Sequence, residues 1–95
     1  MSRRRYLIAY DIADPKRLRQ VIKIMESYGT RLQYSVFLCD LSGAESLHWR
    51  GDILDVIELS KDSVVSIDLG PTLKPAEINL LGLPRQLPAQ GVHII

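Results

Sequence analysis

An α+β domain with the element order strand, helix, strand, strand, helix, strand is predicted by three features of this 95-residue chain. The run RYLIAYDI at 5–12 is almost unbroken in apolar and aromatic residues, the pattern of a central strand with both faces covered. Two segments open on helix-capping signals, Asp14-Pro15 and Ser42 with Glu45 three residues later. Two further segments read as strand: 31–41, with its β-branched and aromatic residues, and the stretch around Val65, where apolar and polar residues alternate.

The first strand ends on a carboxylate, Asp11. Asp14 then caps a helix with Pro15 at its first position, and Leu18, Val21, Ile22 and Met25 recur at the spacing of one helical face before Gly29 closes it. RLQYSVFLCDL (31–41) divides into two short strands at Tyr34-Ser35. The second helix runs from the Ser42 cap to about Leu59, with Leu47, Leu54 and Ile57 facing inward. Asp62-Ser63 makes a turn, after which Val65, Ile67 and Leu69 alternate with Ser66 and Asp68 in a half-buried strand. Beyond Gly70 lie four of the five prolines and three of the six glycines. The chain therefore reads as one domain, 1–95, with a core at 1–69 and an extension at 70–95. Within that extension INLLGL and GVHII are too apolar for a disordered linker, and GVHII (91–95) has the pattern of a short strand in need of a neighbour.

This order predicts a four-stranded antiparallel sheet with both helices on one face, the ferredoxin-like arrangement. Strand one places Leu7 and Ala9 on one side and Tyr6, Ile8, Tyr10 and Ile12 on the other. The face without helices would expose apolar surface unless a second chain covers it, and a homodimer is the economical solution.

Composition sets limits on what the chain can be. A hydrophobic share of 46% and a charged share of 24% exclude a disordered or collagen-like chain. Cys39 is alone, and His48 and His93 stand apart from any second ligand, so neither a disulfide framework nor a Cys/His metal site is expected. The expected location is cytoplasmic: Arg3-Arg4-Arg5 is followed by too short an apolar run for a signal peptide, and nothing approaches the length of a membrane span. Net charge is +1, yet residues 1–31 carry eight Lys/Arg against three Asp/Glu. That asymmetry points to an anionic partner, with a merely solvated basic surface as the other reading.

The chemistry concentrates at the end of strand one. Lys16, Arg17, Arg19 and Lys23 lie on the helix that follows Asp11. Cations in a first helical turn oppose the helix macrodipole, whereas a phosphate there is attracted by both dipole and side chains. Asp11 can be a loop-capping carboxylate; since Asp14 already supplies the cap, Asp11 is free to act as the carboxylate of a Mg²⁺ site completed by phosphate oxygens and water. Such an ion would activate water and neutralise charge on a phosphodiester.

These residues resemble the CRISPR-associated protein 2 family along nearly the whole chain. YLIAYDIADPKRLR is similar to that family's first strand, metal-binding aspartate and first-helix start, and GTRLQYSVFLCDLS to its Arg-x-Gln-x-Ser-Val-Phe segment. DSVVSIDL and GVHII resemble its last core strand and its C-terminal strand. The resemblance implies a ferredoxin-like homodimer acting in spacer acquisition with the CRISPR-associated integrase, and a Mg²⁺-dependent (Mn²⁺ also serving) endonuclease cutting RNA or DNA. It implies Asp11 as catalytic metal ligand, Arg17, Arg19 and Arg31 at the nucleic acid, with Tyr10, Ser35 and Phe37 in support, and a C-terminal strand that pairs across to the partner subunit; Lys16 joins the nucleic-acid contacts by its place on the basic helix start. Leu38 stands where the family commonly has Glu, and Val65 where it commonly has Arg. The alternative expectation is a non-catalytic dimeric scaffold that binds spacer-precursor DNA and bridges integrase dimers.

Remaining residues divide between bland and functional readings. Phe37 and Cys39 read as core, and Trp49 as packed. Arg31, after the Gly29 turn, reads as a phosphate contact. For Arg3, Arg4 and Arg5, contact with nucleic-acid backbone and fraying into solvent stand as equal alternatives.

Overall fold

The computed structural model describes residues 2–86 and 90–95. It contains β1 (Arg4–Asp11), α1 (Pro15–Tyr28), β2 (Thr30–Gln33), β3 (Val36–Leu41), α2 (Gly43–Leu54), β4 (Ser63–Pro71), β5 (Ile78–Leu80) and β6 (Val92–Ile94). The first four strands form one sheet in the order β2-β3-β1-β4, with every neighbouring pair antiparallel. Both helices pack on one face, so the ferredoxin-like prediction is met.

Sequence dictates each helix start. The Asp14 side chain accepts the Arg17 backbone N–H at 2.9 Å, and Pro15 follows at the first helical position. α1 buries Val21 and Met25 at the i, i+4 spacing, with Leu18 and Ile22 packed beside them. The Ser42 capping box is complete, since Ser42 Oγ accepts from Glu45 N–H while Glu45 Oε1 accepts from Ser42 N–H. Both helices meet at Trp49, whose indole N–H donates to Met25 Sδ at 3.1 Å.

α2 departs from expectation in length and in phase. It stops at Leu54 rather than near Leu59, and Leu47 and Leu54 face solvent while Trp49 and Ile53 are buried. The stop has a cause. A helix continuing through Glu58 would bond that residue's N–H to Leu54 C=O, but Asp62 Oδ2 captures it at 2.8 Å. The chain then turns back through Lys61 and Asp62, whose N–H groups both bond the Glu58 carbonyl. Only Ile57 of the expected inward trio packs against the core, partly buried.

Tyr6, Ile8, Tyr10 and Ile12 of β1 face the helices, where they join Phe37, Cys39 and Leu41 of β3. Leu7 and Ala9 lie on the opposite face, and Val65 and Ile67 oppose them in register from β4. The alternating apolar residues of β4 therefore point away from the helices, with Val65 54% and Ile67 49% exposed.

The extension folds back as a small separate sheet. β6 was expected to pair across to a partner subunit; within this chain its neighbour is β5, in parallel register from Ile78↔Val92 to Leu80↔Ile94. Gly91 permits this, because its φ of 88° is one that side chains avoid and an added Cβ would press on the Arg5 guanidinium. Arg5 itself donates to the Gln90 carbonyl and holds the returning chain.

Gly29 serves differently from a left-handed helix cap. Its φ is −162°, open to any residue, but a Cβ there would fall on the Leu38 carbonyl and Cys39 Sγ of β3. Gly29→Ala is accordingly expected to destabilise the fold by about 1–3 kcal/mol through overpacking, read as a lower urea midpoint at unchanged slope.

Candidate active site

β1 delivers Asp11 to the end of the sheet, opposite Ser63 of β4 in register and next to Tyr10, whose N–H donates to the Ser35 carbonyl at 3.2 Å. Three acidic side chains crowd this end, and two are committed. Asp14 caps α1. Asp62, fully buried, accepts a forked pair of bonds from Arg17, Nε to Oδ2 at 2.7 Å and Nη2 to Oδ1 at 3.1 Å, together with the N–H groups of Ala13 and Glu58. Asp11 is exposed and makes no ion pair or side-chain hydrogen bond among the described residues.

Asp62 is the residue that sequence reasoning missed, since Asp-Ser reads simply as a turn. No local signal pairs it with Arg17, because the two lie 45 positions apart. Its effect on the site is nonetheless direct. By gripping Ala13 N–H it fixes the loop that leaves Asp11, and by gripping Arg17 it fixes the first turn of α1.

The cations of the sequence reading separate into two groups. Arg17 faces Asp62, half-buried in the ion pair. Lys16, Arg19 and Lys23 are exposed, without carboxylate partners among the described residues, and with Gln20 they line one shallow concavity along α1. Arg3, Arg4 and Arg5 neither fray nor stand free: they pair with Glu45, Asp68 and Asp40 at 3.2, 2.8 and 2.8 Å.

The β2–β3 hairpin brings Tyr10, Arg31, Ser35 and Phe37 together. Arg31 Nε and Nη2 donate to the Tyr34 carbonyl at 3.1 and 2.7 Å, and the same carbonyl accepts the Tyr10 hydroxyl at 3.2 Å. Phe37 is sealed in the core with the Arg31 guanidinium 5.7 Å from its ring centroid. Burial raises the Tyr10 pKa, an effect that Arg31 partly offsets. Among the described residues no three His, Cys, Asp or Glu side chains form a metal cluster. A single hard oxygen donor suits Mg²⁺, which accepts one carboxylate where phosphate oxygens and water complete its shell.

The Arg17 hydrogen bonds hold the Asp62 carboxyl well below the usual carboxylate range, helped by the Glu58 and Ala13 N–H groups and opposed by desolvation. A folded-state pKa below the unfolded one gives stability that is complete above the ordinary Asp value of about 3.9 and is lost as pH falls through the folded value. Asp62→Asn is therefore expected to lower stability at neutral pH and to flatten its fall below about pH 4, measured by urea unfolding across an acid series.

A family model for CRISPR associated protein Cas2 matches residues 4–72. The CRISPR-associated endoribonuclease Cas2 1 of Rhodospirillum rubrum is 47% identical over 66 residues, covering 70% of this chain and 65% of that one. The CRISPR-associated endoribonuclease Cas2 2 of Thermodesulfovibrio yellowstonii is 34% identical over 89 residues, covering 94% and 93%. Among solved structures, Streptococcus pyogenes Cas2 superposes with a TM-score of 0.65 at 35% identity, over 70% of this chain and 86% of that one. A hypothetical protein from Thermus thermophilus, TT1823, reaches 0.76 at 28% identity, over 88% and 96%. A match that runs from the first strand of the four-stranded sheet through the last makes this chain a member of the CRISPR associated protein Cas2 family.

Proposed function

We propose that this protein is a Mg²⁺-dependent endoribonuclease of a CRISPR system, working as a homodimer. The observation that carries the reading is that Asp11, alone among the acidic side chains at its end of the sheet, is free to take a cation. The relatives at 47% and 34% identity are named endoribonucleases, which favours RNA over DNA as the substrate.

Asp11 would hold the ion. When bound, Mg²⁺ supplies a water of lowered pKa and neutralises charge on the phosphodiester. The chain does the rest. Lys16, Arg19 and Lys23 attract and align the sugar-phosphate backbone along α1. Arg17 positions the loop after Asp11 through Asp62 instead of touching the strand itself. Arg31 stiffens the Tyr34-Ser35 turn beside the site. Among the described residues Asp11 has no side-chain hydrogen-bond partner to act as a general base, in keeping with chemistry that relies on bound water.

The helix-free face supports dimerisation. Val65 and Ile67 are apolar, half-exposed and aligned with Leu7 and Ala9, the kind of strip a second copy covers. Two-fold packing between the two first strands would bring both Asp11 carboxylates toward one ion. Association with the CRISPR-associated integrase during spacer acquisition belongs to the same proposal; Leu73, Leu81, Leu83 and Ile95 give the extension exposed apolar contacts for a protein partner.

Asp11→Asn is expected to lower Mg²⁺-dependent cleavage of a single-stranded RNA at least a hundredfold while leaving RNA affinity in EDTA unchanged. Cleavage that survives the substitution would remove Asp11 from the chemistry. Intact spacer integration by the same variant would mean that cleavage is dispensable to the scaffold role. Ile67→Asp is expected to convert the dimer to monomer in sedimentation, and an unchanged sedimentation coefficient would place the interface elsewhere.

A further inference from the structure

One aromatic ring at the site is assigned no task above. Tyr34 occupies the first position of the two-residue β2–β3 turn and is 54% exposed. Two guanidinium groups converge on its ring, Arg31 at 5.1 Å and Arg85 at 5.8 Å from the centroid. Neither arginine has a carboxylate partner among the described residues. The ring attracts each guanidinium, and two positive charges without carboxylate partners beside one exposed ring make the turn attractive to an anion.

The arrangement is built by the chain rather than left by it. Arg31 is fixed by its two bonds to the Tyr34 carbonyl. Arg85 comes from the extension and is carried to the turn because its own N–H donates to Leu32 C=O at 3.5 Å, while the neighbouring Gln86 side chain accepts from Arg31 N–H. Arg85 also lies beyond residues 4–72, the part matched by the family model. The Tyr34 carbonyl takes the Tyr10 hydroxyl and the Ser35 carbonyl takes the Tyr10 N–H, so the turn is tied to the residue that precedes Asp11.

We propose that Tyr34, Arg31 and Arg85 form a subsite for one unpaired nucleotide, its base stacked on the solvent-exposed part of the Tyr34 ring and its phosphate drawn by the two guanidinium groups. An aromatic ring stacks any base face but only a base outside a duplex, so the subsite selects single strands without reading sequence. This deepens the endoribonuclease reading and rests on it for the identity of the strand.

The test is anisotropy in EDTA with three fluorescein-labelled probes: a single-stranded RNA, its duplex, and the same strand with abasic nucleotides. Tyr34→Ala is expected to weaken the normal single strand roughly 5- to 150-fold and to leave duplex and abasic strand nearly unchanged. Tyr34→Phe keeps the ring and is expected to bind as the parent does, which separates stacking from loss of fold. Arg85→Ala should weaken the normal and abasic strands by similar factors and lessen the salt dependence. Equal binding of the normal strand by Tyr34→Ala and the parent overturns the subsite, as does an equal loss on all three probes. If the parent cleaves the RNA with Mg²⁺ while Tyr34→Ala binds like the parent, the subsite alone fails. If Tyr34→Ala shows the expected loss but the parent never cleaves, the subsite stands and the endoribonuclease reading falls.

Discussion

The buried pair between Arg17 and Asp62 holds the functional end of this molecule together. A carboxylate taken wholly out of water is costly unless its lone pairs are occupied, and Asp62 fills them with a guanidinium fork and two backbone N–H groups. Those four donors come from three places: the β1–α1 loop, the first turn of α1, and the segment after α2. One side chain thereby fixes the exit of β1, the start of one helix and the end of the other. Asp11 inherits a rigid base although it makes no bond of its own, which is what a carboxylate must be to hold a cation that arrives with its substrate.

The same pair explains why the second helix ends early. Propensity and periodicity carry the sequence reading on to Leu59, yet the Glu58 N–H is more tightly bound by a buried carboxylate than by a frayed last turn. The inward face was also misphased. Leu47 and Leu54 are the more obviously apolar choices on the helix, but Trp49 and Ile53 lie under the sheet because the indole N–H finds Met25 Sδ in the groove between the helices. By contrast α1, the β2–β3 hairpin and the Ser42 capping box follow the sequence closely, since each is specified by residues within a turn or two of one another. What escaped were side-chain pairings that the folded chain alone brings together: Arg5 with Asp40 and Arg17 with Asp62 across 35 and 45 positions, Trp49 with Met25, and the Asp62 bond to Glu58 N–H that ends α2.

Charge shows this most sharply. Eight cations against three acids in residues 1–31 suggest a broadly basic surface. Folding pairs Arg3, Arg4, Arg5 and Arg17 with acidic partners from later in the chain, which neutralises half of those cations locally and buries Arg5. The residual positive surface is narrower than the sequence suggested and better defined: Lys16, Arg19 and Lys23 along α1, with Arg31 at the hairpin turn. A narrow basic track constrains the direction of a bound polyanion more than a broad basic face does.

The two faces of the sheet carry different burdens. The helix face holds the core, with Phe37, Ile8, Met25, Val21 and Cys39 fully buried, and it sets the stability of the isolated chain. The opposite face is apolar at Val65 and Ile67, and it carries the buried ion pair in which Arg5 bonds Asp40 and the returning extension. Arg5 is nearly as buried as the core itself, and its guanidinium is divided between a strand carboxylate and a carbonyl of the extension. An arginine so placed fixes where the last strands can lie, because moving them would leave a buried guanidinium short of a partner. The extension is thus bound to the sheet at Arg5 near one end and at Leu32 beside the hairpin, and this second attachment is what brings Arg85 to Tyr34. Most of the extension lies beyond the part the family model matches, yet it completes the surface around the turn, so chains that share the core can still differ there.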